Sequence, residues 1–168
     1  ALTISRSLPK GKGTVIVKHA NPCGVSTKND HLESYKSALS CDPVSAFGGI
    51  VSCNFKITKN LALELNKLFL EVIIANGFES SAIKILKAKK NLRLIDGTNY
   101  TSEELLKFVS FNQNIMIQSE DLNLFSTKNF KIVSKRKPTS KQLKDLIFAF
   151  NVCRYVKSNA IVLASNKT

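Results

Sequence analysis

The chain has 168 residues and a formal net charge of +13, and 43% of its residues are hydrophobic. This length and apolar content provide for one folded domain or slightly more, and they exclude wholesale disorder. No run approaches the ~18 consecutive apolar residues of a membrane span, and residues 1–13 lack the apolar core of a signal peptide.

The positive charge comes mostly from lysines that are scattered over the predicted helices, and the sequence contains no Trp. Base-reading proteins favour arginine and aromatic platforms, so we do not expect nucleic acid as a partner. We do not expect a membrane as a partner either, because the sequence has no long apolar run. A basic nucleotide- or RNA-binding module without catalysis is the alternative that the charge leaves open. The four cysteines form no C-x-x-C pair, which predicts reduced thiols in a cytoplasmic protein.

Apolar runs alternate with helical repeats in the first part of the chain. The predicted strands cover residues 14–18, 49–55, 71–75 and 92–96, and the predicted helices cover residues 29–40, 58–70 and 79–90. Asn21, Pro22 and Gly24 predict a turn that ends the first strand. The alternation predicts an α/β fold with short crossovers, and residues 1–118 are assigned to this first unit.

The pattern weakens after residue 97, where we predict a strand at residues 114–118 and a connector at 119–130. A second α/β unit is then expected over residues 131–168, with a buried strand at 159–164. Before this strand lies a helix that begins after Thr139, because Gln142 completes a capping box, and ends near residues 157–158. Five residues form an apolar stripe that predicts the core-facing side of this helix: Leu143, Leu146, Ile147, Phe150 and Cys153. The sequence begins without Met and stops after an apolar run, so we expect a fragment of a longer chain.

Three segments place polar or glycine residues beside an apolar strand. Lys18 and His19 end the first strand, Phe47 and Gly48 precede the second, and Asn159 begins the last. Ligands of open α/β sheets bind outside strand ends, and glycine lets a backbone approach a ligand closely. A solvated strand end and a tight turn are the structural alternatives.

These segments resemble a known enzyme family. The motifs VIVKHANPCGV, ALSCDPVSAFGGIVSCN, FLEVIIANGF and VKSNAIVLA are similar, in this order, to the AICAR formyltransferase domain of the bifunctional AICAR formyltransferase/IMP cyclohydrolase family. The resemblance implies a cytidine-deaminase-like three-layer α/β unit, followed by the start of a second such unit. It also implies formyl transfer from 10-formyltetrahydrofolate, the co-substrate, to the 5-amino group of AICAR in purine biosynthesis.

The resemblance also implies site residues and an assembly. It assigns catalytic roles to Lys18, His19 and Asn159, and substrate binding to Phe47, Gly48 and Glu71. Family sites are formed across a homodimer from more residues than this chain contains, so we expect this chain to be inactive alone. A solvent-facing charge at a strand start is the alternative for Glu71.

The implied chemistry suits these residue types. The conjugated AICAR amine is a poor nucleophile, and a neutral imidazole near pH 7 suits removal of its proton, which makes His19 the candidate general base. The ammonium of Lys18 would stabilise the oxyanion of the tetrahedral intermediate. The Asn159 amide would donate to that oxyanion or orient the carboxamide.

A zinc site is an alternative interpretation of residues 19–26. Residues 19–26 partly follow the zinc-deaminase signature, in which His-x-Glu precedes Pro-Cys-x-x-Cys. Asn21 replaces the Glu and Ser26 replaces the second Cys, and His19 and Cys23 are too close in sequence for separated ligands. We therefore expect no metal at this site.

Overall fold

The computed structural model describes residues 1–100, 106–119, 121, 123–129 and 131–168. Its strands are β1 (Gly13–Lys18), β2 (Asn21–Thr27), β3 (Gly49–Cys53), β4 (Leu70–Ala75), β5 (Arg93–Asp96), β6 (Leu106–Phe111) and β7 (Asn114–Ser119). Its α-helices are α1 (Leu2–Ser7), α2 (His31–Cys41), α3 (Lys59–Leu65), α4 (Ser80–Leu86) and α5 (Ser140–Cys153), and a 3₁₀ turn spans Thr127–Asn129. No α-helix within the described ranges is long and apolar enough to cross a membrane.

Five strands form a mixed sheet in the order β2-β1-β3-β4-β5, and β6 and β7 form a separate antiparallel pair. Strand β1 runs antiparallel to both of its neighbours, whereas β3, β4 and β5 run parallel to one another. The carboxyl end of β1 therefore lies at the same edge of the sheet as the amino ends of β3 and β4.

Helices cover both faces of this sheet, because successive strand residues point to opposite sides. On β1, Ile16 joins the larger apolar cluster, and Val15 and Val17 join the smaller one. The larger cluster includes buried side chains of α2, α3 and α4, and the smaller one includes side chains of α1 and α5. The predicted α/β class is confirmed.

The N-terminal helix α1 was absent from the sequence prediction, because its six residues are too few for a periodic pattern. Its position depends on Asn54, which lies buried just after β3. The Asn54 amide donates to the carbonyls of Ser5, Leu8 and Pro9 at 2.9, 3.2 and 3.0 Å, and its oxygen accepts from the Gly13 amide at 2.8 Å. One side chain thus ties α1 and the start of β1 to the sheet.

Helix starts follow the sequence signals closely. Thr58 caps α3, and Thr139 and Gln142 form the predicted capping box of α5. The predicted strands and helices up to residue 96 are confirmed, with ends that differ by a few residues and by up to five at α3. Strand β7 is also confirmed, and its partner β6 was not predicted.

The predicted turn at Asn21, Pro22 and Gly24 is wrong. These residues begin β2, and the chain reverses one step earlier, at His19 and Ala20. Turn-forming residue types misled the prediction, because Pro and Gly are also tolerated in an edge strand next to a bulge.

The strand predicted at residues 159–164 is also wrong. These residues make no ladder within the described part of the chain, and Ile161 and Leu163 are 82% and 91% exposed. An apolar segment becomes a strand only where a neighbouring strand accepts its backbone hydrogen bonds. The proposed division at residues 118 and 131 stays a prediction, and residues 120, 122 and 130 of the connector lie outside the described part of the chain.

The core-facing side of α5 also differs from the predicted stripe. Leu146 and Phe150 are exposed, whereas Phe148 and Val152 pack against the sheet. The helix ends at Cys153, four residues before the predicted end. The hydrophobic stripe indicates which residues of α5 are apolar. It does not indicate which side of the helix packs against the sheet.

Gly24 provides a test of how closely β2 packs on α2. A Cβ at Gly24 would lie 2.0 Å from the Ala38 backbone oxygen, so we expect Gly24→Ala to lower the free energy of unfolding by about 3 kcal/mol. Gly11→Ala is the matched control, because a Cβ at Gly11 would meet nothing within 4 Å. We expect this substitution to lower the free energy of unfolding by only about 1 kcal/mol, which is the cost of the positive φ. Urea denaturation measures both, and equal losses would contradict the packing.

Candidate functional site

A strained two-residue turn connects β1 to β2. Lys18 and Asn21 pair across the hairpin, and His19 and Ala20 between them have φ values of 52° and 65°. Two consecutive positive φ values are the requirement of a type I′ turn, which Asn-Gly usually satisfies. A side chain in this conformation costs roughly 1–2 kcal/mol, and such strain is found at functional sites. The turn presents the His19 side chain to solvent.

A bulge follows this turn in β2. Ile16 pairs with Gly24 and Val17 pairs with Pro22, so Cys23 is an extra residue without a partner in the ladder. Bulges bend a strand and re-aim nearby side chains, and they are common next to active sites. This one lies at the same end of the hairpin as Lys18.

A second bulge lies at the start of β4. Gly49 pairs with Leu70 and Ile50 pairs with Val72, which leaves Glu71 as the extra residue. Bulges are rare between parallel strands, so this irregularity is informative. Glu71 is exposed at the edge to which β1 also leads.

Lys18 and Gly48 meet at this edge. The Lys18 ammonium donates to the Gly48 carbonyl at 3.0 Å, and a Cβ at Gly48 would lie 2.8 Å from that ammonium. Gly48 also has a φ of +66°, which side chains disfavour. The positive φ therefore favours glycine at this position, and a side chain there would also displace the Lys18 ammonium.

Two aromatic rings flank this contact. The Gly48 amide donates to the Phe69 carbonyl at 2.8 Å, and the Phe69 ring would lie 3.6 Å from a Cβ at Gly48. The Phe47 and Phe69 ring centroids are 5.1 Å apart, with planes tilted by 37°. The result is a cation and two partly exposed aromatic faces around one glycine.

The segment that precedes Asn159 reaches the hairpin end. The Lys157 amide donates to the Asn21 side-chain oxygen at 3.2 Å, which joins the segment before Asn159 to the hairpin end. Asn159 itself is exposed. The structure thus brings Lys18, Phe47 and Gly48 together. Within the described residues, His19, Glu71 and Asn159 make no direct hydrogen bond to these three.

Cys23, the extra residue of the β2 bulge, carries a free thiol. Burial raises the pKa of Cys23, and the Asp42 carboxylate and Cys41 add to the rise. Among the described residues, no group of three or more His, Cys, Asp and Glu side chains is placed to hold a metal ion. The chemistry that this edge offers is hydrogen bonding, cationic stabilisation and aromatic contact.

The sequence model of one family, described as "AICARFT/IMPCHase bienzyme", matches residues 1–168. The chain belongs to this family. The match covers every segment that forms the edge described above.

Curated relatives extend this match. The chain is 47% identical over 156 residues to the bifunctional purine biosynthesis protein PurH of Buchnera aphidicola subsp. Schizaphis graminum, which covers 92% of this chain and 30% of that protein. It is 44% identical over 153 residues to PurH of Parvibaculum lavamentivorans, which covers 90% of this chain and 28% of that protein. The chain thus spans less than a third of the length of these relatives.

A solved structure, Acinetobacter baumannii RibD, resembles part of the fold. The likeness has a TM-score of 0.41 at 17% identity, and it covers 50% of this chain and 28% of that one.

Sequence reasoning missed Phe69 and both bulges. Phe69 precedes an apolar strand, and a single Phe in that position is typical of a core residue. The bulges depend on pairing with neighbouring strands, which no local pattern contains. The positive φ at His19 was missed for a similar reason, since His and Ala carry no turn signal.

The turn conformation predicts a stabilising substitution. We expect Ala20→Gly to raise the free energy of unfolding by about 0.5–1 kcal/mol, because relief of positive-φ strain exceeds the added entropy of the unfolded chain. Urea denaturation measures this change. Ala88→Gly is the control, since Ala88 is not among the positive-φ residues and the same substitution should lower stability by about 0.5 kcal/mol. A loss of stability at both positions would contradict the strained turn.

Proposed function

We propose that the natural protein carrying this chain is a phosphoribosylaminoimidazolecarboxamide formyltransferase of the cytoplasm. It would transfer the formyl group of 10-formyltetrahydrofolate to the 5-amino group of AICAR, giving FAICAR, in the biosynthesis of purine nucleotides through IMP. The observation that carries the proposal is the contact of Lys18 with Gly48 beside Phe47, in a chain that belongs to the family.

Substrate binding is assigned to the aromatic and glycine positions. The exposed Phe47 ring suits stacking with the flat imidazole of AICAR, and Gly48 lets that ring approach the backbone. Glu71, which its bulge re-aims at the sheet edge, would accept hydrogen bonds from substrate N–H or O–H groups.

The transfer requires one proton to leave the nucleophile and one to reach the leaving group. The AICAR nitrogen forms a bond to the formyl carbon while His19, as a neutral imidazole, accepts the amine proton directly or through the carboxamide. The bond between the formyl carbon and N10 of the folate then breaks, and N10 takes the proton that His19 accepted. The products are FAICAR and tetrahydrofolate, so atoms and charge balance.

Charge develops on the formyl oxygen in the intermediate between these steps. The Lys18 ammonium lies at the Gly48 carbonyl, next to Phe47 in the sequence, and a fixed cation there would stabilise the oxyanion. Its bond to the Gly48 carbonyl holds it in position before substrate arrives. Asn159 would donate its amide to the same oxyanion or to the carboxamide.

The complete site is proposed to need more than this chain. The chain covers 30% or less of the first curated relatives, so we expect it to be inactive alone. The β6–β7 hairpin has exposed apolar side chains on both faces, and an isolated hairpin is marginally stable in water. We propose that a second subunit covers this hairpin, in a homodimer with its site across the interface.

The finer fold assignment follows the family. We propose that residues 1–118 form a cytidine-deaminase-like unit and that residues 131–168 begin a second one. The exposed segments at 131–134 and 159–164 agree with this, because their apolar residues would be buried by strands supplied from elsewhere.

Formyl transfer in the natural protein tests the proposal. We expect His19→Ala and Lys18→Met each to lower kcat by about 100-fold or more, since general-base and oxyanion contributions are of this size. His31→Gln is the matched control: His31 is the chain's second histidine, it stacks on Phe55 at 3.8 Å, and its substitution should leave kcat unchanged. Equal activity of all variants and wild type would refute the assignment.

RNA binding is the second candidate, because the net charge is +13. Titration of the same protein with single-stranded RNA and with AICAR separates the two functions. Saturable AICAR binding with weak salt dependence supports the enzyme. A steep salt dependence of RNA binding, with no AICAR binding, supports the RNA-binding module.

A further inference from the structure

Phe69 lies at the centre of the contacts at the sheet edge. It immediately precedes β4, and its ring is 45% exposed, next to the 60% exposed ring of Phe47. Its carbonyl accepts from the Gly48 amide, which ties Phe69 to the glycine of the site. The exposed part of the Phe69 ring can contact a ligand at the same point.

We propose that Phe69 is a second aromatic contact for the heteroaromatic ring of AICAR, forming with Phe47 an aromatic corner beside the Lys18 ammonium. The inference rests on the proposed function and adds a ligand-contacting residue to it. The corner is defined by three side chains, Phe47, Phe69 and Lys18, around Gly48.

The geometry favours a flat ligand with polar edges. The planes of Phe47 and Phe69 are tilted by 37°, so a planar ring can stack on one and contact the edge of the other. A Cβ at Gly48 would lie 2.8 Å from the Lys18 ammonium and 3.6 Å from the Phe69 ring, so the cation lies on the same side of Gly48 as this ring. There it can meet a carbonyl or ring nitrogen at the edge of the ligand. Two large apolar rings that stay about half exposed on a folded surface are typical of a binding site.

A purely structural role for Phe69 makes a different prediction. If the ring only supports Phe47 and Gly48, its loss would disturb every ligand of the site equally. If it contacts the heteroaromatic ring, its loss would weaken only ligands that carry that ring. Ribose 5-phosphate, which lacks the ring, separates the two roles.

The experiment compares Phe69→Leu, Phe69→Tyr and wild type in the natural full-length protein. Calorimetry gives the Kd of AICAR, competition gives the Kd of ribose 5-phosphate, and steady-state assays give KM and kcat. We expect Phe69→Leu to raise the Kd and KM for AICAR by about 3- to 10-fold, with less than about a twofold change in kcat. Its affinity for ribose 5-phosphate should not change, and Phe69→Tyr should keep wild-type values.

Phe150→Leu is the matched control, because Phe150 is an exposed Phe of α5 whose ring contacts Phe125, and its substitution should leave the AICAR affinity unchanged. Equal weakening of both ligands by Phe69→Leu, or wild-type AICAR affinity in that variant, would overturn the inference while the proposed function stands. Failure of wild-type protein to bind AICAR would instead refute the proposed function.

Discussion

The antiparallel pairing of β1 with β3 is the constraint on which the candidate site depends. Because β1 runs against the parallel strands, its carboxyl end arrives where β3 and β4 begin. Lys18 consequently reaches the Gly48 carbonyl, and the turn after it lies at the edge that contains Phe47 and Glu71. A fully parallel sheet would place Lys18 at the opposite edge from Gly48.

Two kinds of strain are concentrated at this edge. The positive φ values of His19 and Ala20 and the bulge at Glu71 all interrupt regular pairing where chemistry is proposed. In regular strands these side chains would alternate between the two faces of the sheet. Burial of β1 and the anchoring of α1 by Asn54 hold the surrounding sheet in place, which lets the turn stay strained.

Much of the fold could be predicted from the sequence, because local signals determine it. Thr58 and Thr139 mark helix starts through hydrogen bonds within four residues, and β-branched runs such as Val15 to Val17 indicate buried strands. The hairpin β1–β2 and the segment 159–164 could not be predicted in this way. Their conformations depend on which strand lies beside them, and this information is distant in the sequence. The site motifs were likewise found by resemblance, whereas the Phe69 ring required the structure.

The crystal structure of the natural protein with AICAR bound tests the central claim, that the edge shared by β1, β3 and β4 is the substrate site. The account predicts the imidazole of AICAR against Phe47, with the Lys18 ammonium within hydrogen-bond distance of the ligand. AICAR bound at the opposite edge of the sheet, near Cys53 and Ala75, with no contact to Lys18 or Phe47, would contradict it.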